Sequence, residues 1–237
     1  MIGVFDSGVG GMCAYGELRR LLPGEDLIYL ADRKNAPYGN KRPEEILKFT
    51  GENIEALISM GAERVLIACC TASTMHSLLP DELRRLSLPI IPPTARLTHD
   101  GERILVIATE HTVKSGAFSR EIAKYSSASV KEIAMQRLVS LIEWGENTKD
   151  ACLEIENHCK ENSIDTLILG CTHFSHISED LRHMMPHINI LSPAHIGARE
   201  IAKRIKTDRG CGLDLYIGKM KGKTKWQITD EEELTTL

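Results

Sequence analysis

Val65-Leu66-Ile67-Ala68-Cys69-Cys70-Thr71-Ala72-Ser73 is a short apolar run that ends in a cysteine pair and a hydroxyl cluster. Four consecutive apolar residues, Val65 to Ala68, predict a buried strand of a parallel sheet, and Thr71 to Thr74 predict the first turn of a helix. Cys69 is thereby expected at a strand's carboxyl end, where open α/β sheets bind ligands, with its thiolate favoured by the helix start it faces. The pattern returns as Leu167-Ile168-Leu169-Gly170-Cys171-Thr172-His173, which delivers a second cysteine 102 positions after the first. One strand-end cysteine reads as a small core residue; two in the same local context point to a pair with a shared purpose.

Outward from these runs the chain reads as an α/β alternation. Ile2 to Phe5 is a strand opening into Asp6-Ser7-Gly8-Val9-Gly10-Gly11 and a helix from Met12 to Leu22. The glycines let backbone N–H groups approach a ligand, but neither a Gly-Lys-Ser/Thr ending nor a GxGxxG spacing is present, so a nucleotide loop is poorly supported. Asp26 to Leu30 is a second strand, followed by a loop from Arg33 to Arg42 containing Ala36-Pro37-Tyr38-Gly39, able to close over a small ligand. Pro43 to Met60 has helical spacing of Ile46, Phe49, Ile54, Leu57 and Ile58. A helical stretch is expected around Pro80 to Leu86, a strand from Pro89 to Ile91 and a loop from Pro92 to Gly101. A second series opens with the strand Arg103 to Ala108, then a helix from Ser115 to Tyr125, the segment Val130 to Ala134, and helices at Leu138 to Trp144 and Ala151 to Glu161. Thr166 to Leu169 and Ile188 to Leu191 read as strands, Ala198 to Ile205 as a helix and Leu213 to Ile217 as strand-like. The charged stretches Lys219 to Lys225 and Asp230 to Glu233 read as a solvated end.

Asp6 and Thr109 each follow the opening strand of a series and are 103 positions apart, nearly the cysteine interval. That arithmetic describes an internal repeat, two copies of one α/β unit facing each other across a shared cleft. Residues 1–97 with 198–237 are expected to form one unit and 98–197 the other. Opposed thiols in such a cleft suit a reaction in which one face of a carbon loses a proton and the other gains one, since a thiol pKa of about 8.5 lets thiol and thiolate exchange roles. Asp6 and His173 are placed to relay or orient the protons.

The 237 residues carry a formal net charge of −4 with scattered basic residues, which argues against a nucleic-acid partner. The absence of a leader-like segment and of any long apolar run predicts a cytoplasmic protein off the membrane. Seven cysteines at irregular spacing do not read as a disulfide framework. Two other chemistries stay open: zinc binding by Cys69, Cys70, Cys171 and His173, against which adjacent cysteines lack the usual ligand spacing, and a cysteine hydrolase pairing one thiol with His173.

The stretches DSGVGG (Asp6 to Gly11), PYG (Pro37 to Gly39), ACCTAS (Ala68 to Ser73), SGA (Ser115 to Ala117) and LILGCTH (Leu167 to His173), in this order, resemble the cofactor-independent glutamate racemase family of the aspartate/glutamate racemase superfamily. The resemblance implies two pseudo-symmetric flavodoxin-like α/β/α sandwich domains with mostly parallel sheets. It implies that Cys69 and Cys171 are the acid/base residues interconverting L- and D-glutamate without pyridoxal phosphate or metal. It further implies that Asp6, Ser7, Tyr38, Gly39, Thr71, Thr112, Thr172 and His173 line the amino-acid site, with Pro37 and Cys70 beside them and Asp32 and Glu143 as auxiliary acids. A homodimer and a role in supplying D-glutamate for peptidoglycan belong to the same implication. Cys70 departs from the family's usual asparagine, and a thiol is a much poorer hydrogen-bonding group, so aspartate or another small dicarboxylate is a rival substrate, as is amino-acid binding without turnover.

Overall fold

The computed structural model of the chain describes residues 1–205, 210–218 and 227–229. The first half runs β1 (Ile2–Asp6), α1 (Met12–Leu21), β2 (Leu27–Ala31), α2 (Pro43–Ser59), β3 (Arg64–Ile67), α3 (Cys70–Ser73), α4 (Asp81–Leu86), β4 (Ser87–Pro89) and α5 (Ile91–Ala95). The second runs β5 (Arg103–Ala108), α6 (Glu110–Ser115), α7 (Ala117–Ile122), β6 (Ser129–Ala134), α8 (Gln136–Glu143), α9 (Lys149–Glu161), β7 (Thr166–Gly170), α10 (Ser178–Met184) and β8 (Asn189–Leu191). Helix α11 (Pro193–Ala202) then leads back to β9 (Asp214–Gly218) and β10 (Gln227–Thr229). Among the described residues no helix is long and apolar enough to cross a membrane.

Two sheets result, ordered β10-β9-β2-β1-β3-β4 and β6-β5-β7-β8. The inner order β2-β1-β3-β4 of the first matches β6-β5-β7-β8 of the second strand for strand, with every pairing parallel. The repeat expected from the cysteine interval is thus present in the topology: β3 and β7 occupy the same place, and each hands its chain to a strand-end cysteine. In this order the crossovers reverse direction beside β1 and β5, so the carboxyl ends of β1, β3, β5 and β7 leave crevices where ligands bind such folds. The chain's return adds β9 in parallel beside β2, with Tyr216 level with Tyr29, and the antiparallel β10 outside it.

Continuous burial of Val65, Leu66 and Ile67 explains the unbroken apolar reading of β3, because helices cover both faces. Val65 and Ile67 face a core under α2 with Phe5, Ile54 and Leu57, while Leu66 and Ala68 face the opposite side. That opposite side is shared. One apolar cluster joins Val4 and Leu66 of the first sheet to Ile104, Val106 and Ile168 of the second, with Phe118, Ile90 and Ala198 between them. Helix α11 lies in this layer, packed on α1 and α5 and touching β3, β4 and β7. A separate core under α8, α9 and α10 covers the outer face of the second sheet.

Three local expectations are corrected. The stretch expected as a loop from Pro92 begins with α5, whose prolines sit in its first turn, where no intrahelical N–H is needed, and whose Ile91 and Ala95 are buried. The strand expected at Pro89–Ile91 ends at Pro89, pairing Ser87–Pro89 with Val65–Ile67. The helix expected over Ser115–Tyr125 is shorter, Ala117–Ile122, and an unexpected helix, α6, precedes it, because Gly116 adopts φ 58°, a left-handed conformation that ends α6 and starts α7. The expected charged end at Lys219–Lys225 and Asp230–Glu233 lies outside the described residues.

Candidate active site

The carboxyl ends of β1, β3, β5 and β7 converge on one narrow, partly enclosed cavity of about 20 Å³. Cys69, following β3, and Cys171, following β7, both line it. Around them stand Ser7 and Gly8 after β1, Ala36 to Gly39 of the β2–α2 loop, Cys70 and Thr71 of α3, Thr109, and Gln136, Val139 and Glu143 of α8. Thr172 and His173 complete the lining. Each half therefore supplies one thiol to a common space.

The two thiols have different company. Cys69 is the N-cap of α3: its Sγ lies 3.5 Å from the Ala72 N–H that points at it and 3.5 Å from Ser7 Oγ. The helix start does favour its thiolate through the Ala72 N–H, but burial and the nearby Asp6 carboxylate outweigh it and push the thiol up to about 12. A four-residue helix offers few free N–H groups, and these lose to desolvation. Cys171 instead lies 3.7 Å from His173 Nδ1. His173 Nε2 in turn is 3.0 Å from Glu143 Oε1, an ion pair set off the hydrogen-bond angle. Burial opposes charge on this imidazole, but Cys171, Glu143 and Asp6 together hold it well above the usual histidine range. Reciprocally, His173 draws Glu143 below the ordinary carboxylate range.

Behind the lining, three predicted residues act at one remove. Asp6 is fully buried; its Oδ1 accepts from Gly8 N at 2.8 Å and its Oδ2 from Thr172 Oγ1 at 3.1 Å, a bond that crosses from one half to the other. Desolvation raises its pKa. Asp32 is buried behind Tyr38, accepting from the Tyr38 hydroxyl at 2.7 Å, from Asn53 Nδ2 at 3.2 Å and from Asn35 Nδ2 at 3.0 and 2.9 Å. It orients the tyrosine rather than lining the cavity. Thr112 is buried in a hydroxyl triangle with Thr71 and Thr109, with edges of 3.3, 3.0 and 2.9 Å.

Close backbone approach makes Gly10 essential to this arrangement. A Cβ there would stand 2.5 Å from Thr172 Oγ1, 2.7 Å from His173 Nδ1 and 2.9 Å from His173 N. The turn after β1 thus presses directly against the segment that carries Cys171.

Sequence reasoning missed Gly8, Ala36, Thr109, Gln136 and Val139 as lining residues. Thr109 had a signal, its repeat relationship to Asp6. Gln136 and Val139 had none, since a glutamine and a valine at the start of an amphipathic helix fit an ordinary helix equally well. The zinc alternative has no ligand set here: among the described residues no group of three His, Cys, Asp or Glu side chains is placed to hold a metal ion.

Twin α/β halves that bring one thiol each to a single narrow cleft, with His173 and Glu143 beside them, define a two-sided site of the size and chemistry of a small-molecule pocket. The comparison of sequences gives this class its family. The chain belongs to the Asp/Glu/Hydantoin racemase family, whose profile matches residues 22–201. It is 31% identical to the glutamate racemase of Carboxydothermus hydrogenoformans over 98% of this chain and 88% of that one, and 38% identical to that of Campylobacter curvus over 78% and 75%. Among solved structures it resembles the glutamate racemase of Thermus thermophilus in complex with β-chloro-D-alanine, with TM-score 0.79, 31% identity and 93% and 88% of the two chains covered. The glutamate racemase of Francisella tularensis in complex with D-glutamate gives TM-score 0.78 at 27% identity, with 92% and 87% covered.

Proposed function

We propose that the protein interconverts L- and D-glutamate by two-base chemistry, with Cys69 and Cys171 as the two acid/base groups. The observation that carries this reading is that both sulfurs, one from each half, line the same cavity. In one direction a Cys171 thiolate takes the proton as the Cα–H bond breaks, and the Cys69 thiol gives its proton to the opposite face of the carbanion. The return direction exchanges the roles. Burial keeps Cys69 protonated, fitting it as the donor of the first direction, and His173 stands beside Cys171 as the counter-charge for its thiolate. When Cys69 is the base, the Ser7 hydroxyl and Ala72 N–H are the groups that receive its negative charge. Thr71 supplies a hydroxyl for a substrate carboxylate, while Thr172, whose own proton goes to Asp6 Oδ2, is left to accept from the substrate's ammonium group, and Asp6 fixes that side of the pocket.

A second reading, aspartate or another small dicarboxylate, is favoured by Cys70, a buried thiol on the cavity wall where a hydrogen-bonding asparagine is usual. The D-glutamate product would serve peptidoglycan synthesis in the cytoplasm, and a homodimer is the assembly proposed from the family resemblance. The deciding experiment is α-proton exchange in deuterated water with both enantiomers of glutamate and of aspartate. Deuterium appearing in the opposite enantiomer of glutamate supports the first reading, and exchange confined to aspartate supports the second. Binding without exchange in any of the four overturns both.

A further inference from the structure

The inner cavity of about 20 Å³ holds about one water molecule. An amino acid with two carboxylates cannot enter unless a wall moves. A second, open cavity of about 690 Å³ adjoins it. Among the described residues only two line both, Gly39 and Gln136. They meet face to face across the halves: a Cβ on Gly39 would lie 2.4 Å from Gln136 Oε1. Their contact is the partition between the outer cavity and the thiols.

The outer cavity is basic. Lys41, Arg42 and Lys114 line it against a single carboxylate, Glu110, together with His111, whose charged form burial and Lys114 disfavour. Lys114 pairs with that carboxylate at 3.2 Å and Arg42 with Glu45 at 3.2 Å. Lys41 forms no close ion pair among the described residues, though its charge is felt by the Glu45 carboxylate that Arg42 also faces. The excess positive charge is local, since the whole chain is net −4.

We propose that this outer cavity is the access port for an anionic dicarboxylate substrate, with Lys41 and Lys114 drawing it in and Gly39 and Gln136 parting to admit it. The proposal rests on the function read above. A cleft lined by one sign of charge raises local substrate concentration and association rates by about 10- to 10³-fold, and the effect collapses as salt rises. The partition is soft on one side only: the Gln136 amide is the far end of a flexible side chain that can swing, while Gly39 belongs to the turn Tyr38–Asn40, held against α3 and α6.

The test compares the unaltered protein with a Lys41→Glu/Lys114→Glu variant and with a Lys131→Glu/Lys149→Glu variant, which changes the net charge equally outside the port. Racemisation of L- and D-glutamate and the stopped-flow association rate of D-glutamate, followed by tryptophan fluorescence, are measured from low to high salt. The expected result is a drop of about tenfold or more in association rate and kcat/KM for the port variant at low salt, with kcat retained and the difference closing at high salt. The distal variant should change little. Equal losses in the two variants, or a loss in the port variant that salt does not relieve, overturn the port. Absence of turnover in the unaltered protein overturns the glutamate reading instead, and the association rates still judge the port.

Discussion

Cys69 and Cys171 are equivalent by topology and unlike in chemistry, and the difference lies in single side chains. Replacing Cys69 by Ser is expected to lower racemisation by about 10²–10⁴-fold in both directions, while exchange of the α-proton persists for the one enantiomer that Cys171 deprotonates. Cys171→Ser should preserve exchange for the other enantiomer only, read by proton loss in deuterated water; exchange of both in either variant contradicts the two-base assignment. The His173–Glu143 pair makes a pH prediction. His173 is raised in the folded state, so its contribution to stability is complete below the unfolded value of 6.5 and is lost as pH rises through the folded value. Glu143 is lowered, so its contribution is complete above 4.5 and is lost as pH falls through the folded value. A double-mutant cycle with His173→Gln and Glu143→Gln should therefore show its largest coupling in chemical denaturation near pH 5.5, shrinking as pH rises through the folded value of His173. At this scale the sequence announced the thiols, the hydroxyls and His173 through their motifs. It misjudged the Cys69 environment because a one-dimensional pattern shows the helix start but not the depth of burial or the Asp6 carboxylate behind it.

The turn after β1 is the element whose shape the site depends on most. Gly10→Ala forces Thr172 and His173 away, with a cost of about 1–3 kcal/mol for an overpacked contact. Because the displaced atoms include His173 Nδ1, kcat should fall further than the denaturation midpoint alone would explain; unchanged kcat in a destabilised variant would mean that this contact is only structural. The elements legible in advance were those with simple physics: β1, β2, β3, β5 and β7 are apolar runs buried on both faces, and α2 shows helical spacing. Elements set by tertiary packing were not legible. Helix α5 opens with a proline pair that reads as a loop until Ile91 and Ala95 are seen buried, and the break at Gly116 depends on a backbone angle that a glycine permits but does not announce.

At the scale of the molecule, the apolar layer shared by the two sheets leads us to expect that they unfold together. Phe118, fully buried between them, should cost about 3–5 kcal/mol when cut to Ala, and the variant should still unfold in one transition, followed by both circular dichroism and tryptophan fluorescence. Two separated transitions would show that the halves are independent. The duplication carries one more consequence. Mirror-image amino acids have equal free energy in water, so interconversion has an equilibrium constant of one, and kcat/KM must be equal for the two hands however the protein is built. The unlike surroundings of the paired sulfurs cannot favour either product at equilibrium. Their asymmetry is free to appear only as matched shifts, a hand that is turned over faster being held more loosely in the same proportion.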